Sequence, residues 1–354
     1  MLADLLSLVG TGHEAALEKR EALTRELLAS APFGLEKKTC CLTLLAGAGT
    51  RWVKSLSLAK AVLGEKLCDT DASPAARFPL DAPRGLFPVR NFISAEPSRI
   101  PMAAYALDAV KGLGRHVIVI RGWEAEIRSG IIDALGIDGE SVKFCTQKEG
   151  PSGKVLGHGD AARQSRELWR DSSYVIANFG GDANSPLTVA ASLLAMARLD
   201  ELGENVGLLL PVAKIKNPAY RVILDERGLP QAFEHNKLGG MTAGRLPPSE
   251  GYTNVGIRVY RTEALSAAVD EIESSYWRKE YGYLIPGNDP EAHEFALDNV
   301  DALLARRGEA RILAIAKAEE LTPAKSFDEI ANFEDAAKGV RAEWTKFLSA
   351  ADSQ

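Results

Sequence analysis

Cysteine is scarce in this chain: there are four, Cys40, Cys41, Cys68 and Cys145, and no two form a C-x-x-C pair. That spacing excludes a zinc ribbon, a thioredoxin-like redox site and a secreted disulfide framework, leaving reduced, buried thiols as the ordinary reading. Long apolar runs are missing too. No stretch approaches the roughly 20 residues of a membrane span. The amino terminus carries His13, Glu14 and Glu18 in place of a basic region followed by an apolar one, so no secretory leader is expected and the cytoplasm is the default. Charge of one sign is concentrated nowhere. The 42 basic and 48 acidic residues give a net charge of −6, spread along the chain, which argues against a nucleic-acid-binding face. Internal repeats are absent. What is present is 46% hydrophobic residues over 354 positions, enough for one large α/β domain or two smaller ones.

Periodicity divides the chain into three parts. Residues 1–38 read as a helical extension, with Leu5, Leu6, Leu17, Leu23, Leu27 and Leu28 at helical spacing before the break at Ala31-Pro32-Phe33-Gly34. Residues 39–326 alternate strand and helix. Strands are expected at 39–46, 116–120, 141–145, 174–178, 205–211, 220–224, 232–234, 253–260 and 311–316. Helices are expected at 102–112, 124–135, 160–170, 187–199, 263–273 and 290–306. Alternation of this kind predicts a doubly wound, mostly parallel, Rossmann-like sheet with ligands at the carboxyl ends of its strands. Residues 66–83 and 238–251 show no sustained period and read as loops. Residues 327–354 read as a helical C-terminal segment.

The first strand runs into Leu45-Ala46-Gly47-Ala48-Gly49-Thr50-Arg51. Glycines there let backbone N–H groups approach an anion, and an arginine adds charge. A dinucleotide fingerprint would need a third glycine where Trp52 stands, and a P-loop would need glycine where Val53 stands, directly before Lys54-Ser55. An ordinary glycine-rich strand-to-helix turn explains the segment equally well on its own.

The motifs that follow narrow the reading. Gly47-Ala48-Gly49-Thr50-Arg51 resembles the G-x-G-T-R signature of sugar-phosphate nucleotidyltransferases, and Pro83-Arg84-Gly85-Leu86-Phe87-Pro88-Val89 resembles their P-K-x-L-x-P-V, with arginine in place of lysine. Gly157-His158-Gly159-Asp160 is similar to the G-H-G-D of UDP-glucose pyrophosphorylases and to the uridine-binding turn of N-acetylglucosamine-1-phosphate uridylyltransferases; Gln147 precedes it, as a uracil-contacting glutamine does there. Gly181-Asp182 resembles a metal-binding Gly-Asp, Phe233-Glu234-His235-Asn236-Lys237 a sugar-contacting V-E-H-K-D, and Asn254-Val255-Gly256-Ile257 a sugar-contacting N-T-G-I. Glu294-Phe295-Ala296-Leu297-Asp298 and Thr322-Pro323-Ala324-Lys325 resemble the F-x-F-D and S-P-L-K stretches of eukaryotic-type UDP-sugar pyrophosphorylases. The order is kept from the first strand to Lys325. No hexapeptide array of an appended acetyltransferase follows, and Tyr220-Arg221 lacks the glycine of the family's Y-G-R.

The resemblance implies UTP and a sugar 1-phosphate as substrates and Mg²⁺ as cofactor. N-acetylglucosamine 1-phosphate ranks first and glucose 1-phosphate second. It assigns Gly47, Ala48, Gly49, Thr50, Gln147, Gly157, His158, Gly159 and Asp160 to the nucleotide, Arg51, Arg84 and Lys325 to catalysis, Glu234 and Asn254 to the sugar, and Asp182 and Asp298 to the metal. A sugar 1-phosphate is already anionic at neutral pH, so its attack on the α-phosphorus needs positive charge and alignment more than a base. Each residue has a plainer reading beside this one: Asp182 as a helix cap, Asp298 as a polar position on an amphipathic helix, Lys325 as a solvated lysine, Gln147 and Asp160 as turn and cap residues, Glu234 and Asn254 as strand ends. A sugar-nucleotide-binding protein without catalysis is the main alternative function. A nicotinamide-dependent oxidoreductase is disfavoured by Trp52.

Overall fold

The computed structural model describes residues 13–29, 34–46, 50–64, 74–216, 218, 220–235, 250–288, 291 and 293–351. Its strands are β1 (Thr39–Leu44), β2 (Pro88–Arg90), β3 (Arg99–Pro101), β4 (Arg115–Ile120), β5 (Val142–Thr146), β6 (Tyr174–Phe179), β7 (Leu208–Lys216), β8 (Tyr220–Leu224), β9 (Pro230–His235), β10 (Glu250–Asn254), β11 (Arg258–Arg261), β12 (Trp277–Arg278), β13 (Gly282–Tyr283) and β14 (Ala310–Leu313). The helices used below are α1 (His13–Ala29), α2 (Thr50–Gly64), α3 (His158–Gln164), α4 (Pro186–Glu201), α5 (Thr262–Tyr276), α6 (Leu297–Arg306) and α7 (Ile330–Ala351).

All six residues of β1 are buried, as suits a central parallel strand covered on both faces. The main sheet runs β5-β4-β1-β6-β11-β7-β10-β8-β9, with β14 also paired to β7. β5, β4, β1 and β6 are mutually parallel, and β14 is parallel to β7. The remaining pairs are antiparallel, so the expected mostly parallel sheet is corrected to a mixed one. For the β8/β9 pair connection length is the reason. Only the turn around Asp225 separates β8 from β9, its carboxylate accepting from the Arg227 and Leu229 amides, and a connection that short closes only an antiparallel pair.

From β1 the chain crosses outward to β4 and β5, then returns to the opposite side of β1 for β6. Order reverses between β1 and β6, the kind of point at whose strand carboxyl ends α/β sheets take ligands. Alternate residues of β1 enter different cores, as the two-residue period requires. Leu42 and Leu44 join Trp169, Leu265, Val300 and Leu304, while Cys41 joins Ile176, Leu193 and Met196. A third core gathers Trp52, Phe87, Met102, Ile118 and Phe333.

The segments set apart at 1–38 and 327–354 supply α1 and α7. Arg20 on α1 is fully buried, pairing with Glu320 at 3.1 Å and with Glu343 on α7. The strand expected at 253–260 is two strands, broken where Gly256 takes φ +85°. The helix expected at 290–306 starts only at Leu297, because Phe295 is spent on backbone pairing with Leu156 and Gly159. Residues 65–73 and 236–249, which hold the first part of one expected loop and most of the other, lie outside the described residues, and Pro74–Arg77 within the first is a short helix. Cys40 and Cys41 are buried thiols and Cys145 is half-buried. Among the described residues, no helix is long and apolar enough to cross a membrane.

Candidate active site

An aromatic clasp brings the first, second and last motif segments together. Trp52, near the start of α2, is fully buried, with ring centroids 6.4 Å from Phe78, 5.2 Å from Phe87 and 6.3 Å from Phe327. The first two are edge-on, and aromatic pairs of that kind add about 0.5–1.5 kcal/mol each beyond burial. The Phe327 amide also donates to Ser55 Oγ at 2.8 Å. Phe87 follows Arg84 by three residues and Phe327 follows Lys325 by two, so the clasp anchors the segments that carry both cations, which act on Asp182. The residue that excludes a dinucleotide fingerprint is therefore the residue that fastens this site. Gly47, Ala48 and Gly49 lie outside the described residues. Thr50 and Arg51 open α2, and their side chains are likewise outside.

Asp182 sits at the reversal point. The Gly180 amide extends the β1/β6 ladder by donating to Leu44 O at 3.2 Å, and the Asp182 amide turns back to Phe179 O at 3.2 Å. Close contacts at three glycines frame the carboxylate. A Cβ at Gly180 would stand 1.7 Å from Leu45 Cδ2, one at Gly181 2.4 Å from Arg84 Nη2, and one at Gly256 2.1 Å from Asp182 Oδ2. Asp182 is 8% exposed, and no described residue donates a hydrogen bond to its side chain. Burial pushes its pKa up to about 6, against the pull of Arg84, Lys325 and Arg258. Three residues chosen from sequence for phosphate and metal chemistry thus converge, and a fourth, Arg258, joins them.

Arg258 opens β11, paired in register with Ala177 of β6. Its guanidinium lies 5.4 Å from the Phe179 ring centre, donates from Nε to Asp301 Oδ2 at 2.7 Å and pairs through Nη2 with Asp298 Oδ1. Tyr260 Oη donates to the second Asp301 oxygen at 2.6 Å. Asp298 and Asp301 are three apart on α6 and so share a face. Burial works against the Arg258 charge, but Asp301 and Asp298 hold its pKa well above the usual value. Asp298 is thus an ion-pair partner as well as a candidate ligand. Parity carried the missed signal: Arg258 lies on the same face of a strand as Tyr260, and a charge on a buried face needs a partner.

A backbone zipper joins two further motifs. The Gly159 and Asp160 amides donate to Phe295 O at 2.8 and 3.3 Å, the Phe295 amide donates to Leu156 O at 2.7 Å, and the Leu297 amide donates to His158 Nδ1 at 2.9 Å. A Cβ at Gly157, whose φ is +91°, would stand 2.6 Å from Phe295 O, and one at Gly159 2.6 Å from the Phe295 ring. These glycines serve close packing between chain segments. Asp160 is fully buried and accepts from Arg163 at 2.9 Å, Gln164 at 2.6 Å, Gln147 at 3.4 Å and Tyr283 at 3.4 Å. Gln147 Nε2 also donates to Gly157 O at 2.9 Å. Asp160 is therefore a hub that shapes the turn, with Gln147 beside it. His158 meets Phe179 edge-on at 5.0 Å between ring centres, which ties the turn to the Asp182 loop.

Glu234 and Asn254 lie on the antiparallel half of the sheet. Glu234 faces Arg221 across β8 and β9. Asn254 Oδ1 accepts from the Gly256 amide at 2.6 Å. Glu234 Oε2 and Asn254 Nδ2 are buried with no hydrogen-bond partner among the described residues. Buried polar atoms of that kind cost about 1–3 kcal/mol unless something satisfies them.

Among the described residues no group of three or more His, Cys, Asp or Glu is arranged to hold a metal. Mg²⁺ does not require one, since it commonly takes one or two carboxylates and completes its shell with water and phosphate oxygens. An uncommitted buried carboxylate such as Asp182 fits that donor set. A surface hollow of about 490 Å³ beside Phe92, Lys338, Arg341 and Thr345 includes none of these residues. No protein-family model matches the chain, and no curated protein matches its sequence.

Proposed function

We propose that the chain is a sugar-1-phosphate nucleotidyltransferase that joins a hexose 1-phosphate to the α-phosphate of UTP and releases pyrophosphate, on a doubly wound, Rossmann-like fold. The observation that carries this reading is Asp182: a buried carboxylate at the sheet's reversal point, without a hydrogen-bond donor among the described residues and flanked by Arg84 and Lys325. The strand carboxyl ends at such a point are where α/β sheets take their ligands, and a mixed-charge cluster is what in-line attack of one phosphate on another requires.

In this reading Asp182 and Asp298 hold Mg²⁺, which when bound supplies positive charge at the reacting phosphate. Arg84 and Lys325, beside Asp182, neutralise the triphosphate and the incoming sugar phosphate. Arginine's planar fork engages two phosphate oxygens at once, so the replacement of lysine by Arg84 favours orientation over a compact charge. Gln147, positioned by Gly157 and Asp160, lies at the turn assigned to the uracil. Glu234 and Asn254 each carry an unsatisfied buried atom that a sugar hydroxyl or amide would complete. N-acetylglucosamine 1-phosphate remains the first choice of sugar and glucose 1-phosphate the second.

A binding protein without turnover is favoured by one observation, the commitment of Asp298 to Arg258. Pyrophosphate release separates the two. The full chain with Mg²⁺, UTP and a panel of sugar 1-phosphates is expected to release pyrophosphate with a hexose. Saturable UTP binding with no release under any combination would leave only the binding reading.

A further inference from the structure

Two contacts tie the break between β10 and β11 to the Asp182 loop. One is the approach of Gly256 to Asp182, so close that a Cβ would stand 2.1 Å from Oδ2. The other comes from Asn184, which no motif resemblance assigns: its Nδ2 donates to Val255 O at 3.0 Å. Asn184 is 2% exposed. A carbonyl oxygen only accepts, so the amide is fixed with its nitrogen toward the break, and its Oδ1 is left buried without a partner among the described residues. Both ends of the tie are anchored. Pro186 is the first residue of α4 and the Val189 amide donates to Ser185 O at 3.0 Å, so Asn184 stands just ahead of a helix whose Val189 and Leu193 share a core with Val255 and Ile257. At the break itself, Asn254 Oδ1 accepts from the Gly256 amide at 2.6 Å.

We propose that Asn184 is a positioning residue that holds Asp182 and Asn254 in a fixed relation across the β10–β11 break. The proposal rests on the nucleotidyltransferase reading, in which Asp182 acts at the reacting phosphate and Asn254 at the sugar. Asp182 follows β6 in the parallel half of the sheet, and Asn254 ends β10 in the antiparallel half. A reaction that joins two substrates held by different halves depends on whatever fixes one half against the other, and a misplacement of about 1 Å costs on the order of 100-fold in rate. Gly256, at φ +85°, has the backbone freedom that makes such a restraint necessary. Asn184 supplies it through the neighbouring carbonyl, without touching either substrate.

The test is pyrophosphate release by the full chain with UTP, Mg²⁺ and a panel of hexose 1-phosphates, with UTP affinity and urea midpoints measured on the same samples. Asn184→Ala is expected to lose at least about tenfold in kcat, with UTP affinity within about threefold of wild type and KM for the sugar phosphate changed less than kcat. Asn254→Ala supplies the decisive background. If Asn184 acts through the break, adding Asn184→Ala there costs less than about threefold more, because residues that act as a unit are not additive. Asn184→Ser, which leaves room for a water to reach Val255 O, is expected to keep more activity than alanine and serves if the alanine variant does not fold. A lowered urea midpoint with wild-type kcat and KM, or losses that simply multiply in the double variant, would overturn the proposal and leave the functional reading standing. If wild type releases no pyrophosphate with any hexose 1-phosphate, both fall together.

Discussion

The guanidinium of Arg84 lies flat against Gly181, so that a Cβ on Gly181 would stand 2.4 Å from its Nη2 and 2.8 Å from its Cζ. The glycine before Asp182 is thus the floor on which the Arg84 guanidinium rests.

Gly181→Ala should separate stability from function. The clashing atoms belong to the far end of a flexible side chain, so unfolding free energy should change by less than about 1 kcal/mol. Arg84 must move, and a misplacement of about 1 Å in a positioning group costs on the order of 100-fold in rate. Urea unfolding and turnover of the same preparation check this. Unchanged turnover would remove Arg84 from the reaction.

Asp182 should make the protein less stable as the pH rises. Its folded pKa is raised from the usual 3.8 to about 6, so the folded state holds the proton more tightly. Its contribution to stability is fully present below about pH 4 and is lost as the pH climbs through about 6. Asp182→Asn removes that loss and should be more stable than wild type at pH 7 by about 1–3 kcal/mol. Asp301, also pushed up to about 6 by burial, keeps part of the slope in the variant. Urea midpoints between pH 4 and 7.5 decide it: an asparagine variant less stable than wild type at every pH contradicts the account.

Gly159→Ala should damage the fold and the nucleotide side together. Its Cβ would meet the Phe295 ring at 2.6 Å and the Ala296 carbonyl carbon at 2.9 Å, in a region without slack. Overpacking of this kind costs about 1–3 kcal/mol, and UTP binding should weaken with it because the zipper positions Gln147. Wild-type stability in the alanine variant would mean that the zipper yields freely.

How much of this was legible in the sequence follows from how far apart the responsible atoms are. β1 and β6, read as apolar runs before glycines, are central strands, because full burial on both faces leaves an uninterrupted apolar signature. Asp182, Arg84 and Lys325 were chosen from short motifs, and the fold brings them together. Arg258 escaped because its partners lie 40 and 43 residues along the chain, and no local pattern marks such a pair. The motif assigns Asp160 to the nucleotide, with a turn or cap role beside it, and does not disclose that its carboxylate accepts from Gln147, Arg163, Gln164 and Tyr283. The break at Gly256 was hidden because Thr253 to Tyr260 is apolar enough to read as one strand.

Base selectivity is the next expectation. Gln147 is held by Gly157 O and lies against Asp160, in a turn packed tightly against Phe295. UTP should be used in preference to ATP and GTP by at least about tenfold in kcat/KM, which corresponds to roughly 1.4 kcal/mol of discrimination. Equal rates with ATP would withdraw the assignment of Gln147.

The central claim is that Asp182 acts on the reacting phosphate through a divalent cation. The most direct measurement is Mg²⁺-dependent pyrophosphate release by wild type and Asp182→Asn, with UTP and N-acetylglucosamine 1-phosphate or glucose 1-phosphate, and with UTP affinity determined on the same samples. The account predicts release by wild type that disappears on chelation, a loss of at least about 100-fold in kcat for the variant, and UTP affinity within about threefold of wild type. Release by Asp182→Asn at the wild-type rate, or release by wild type that is indifferent to chelation, would contradict it.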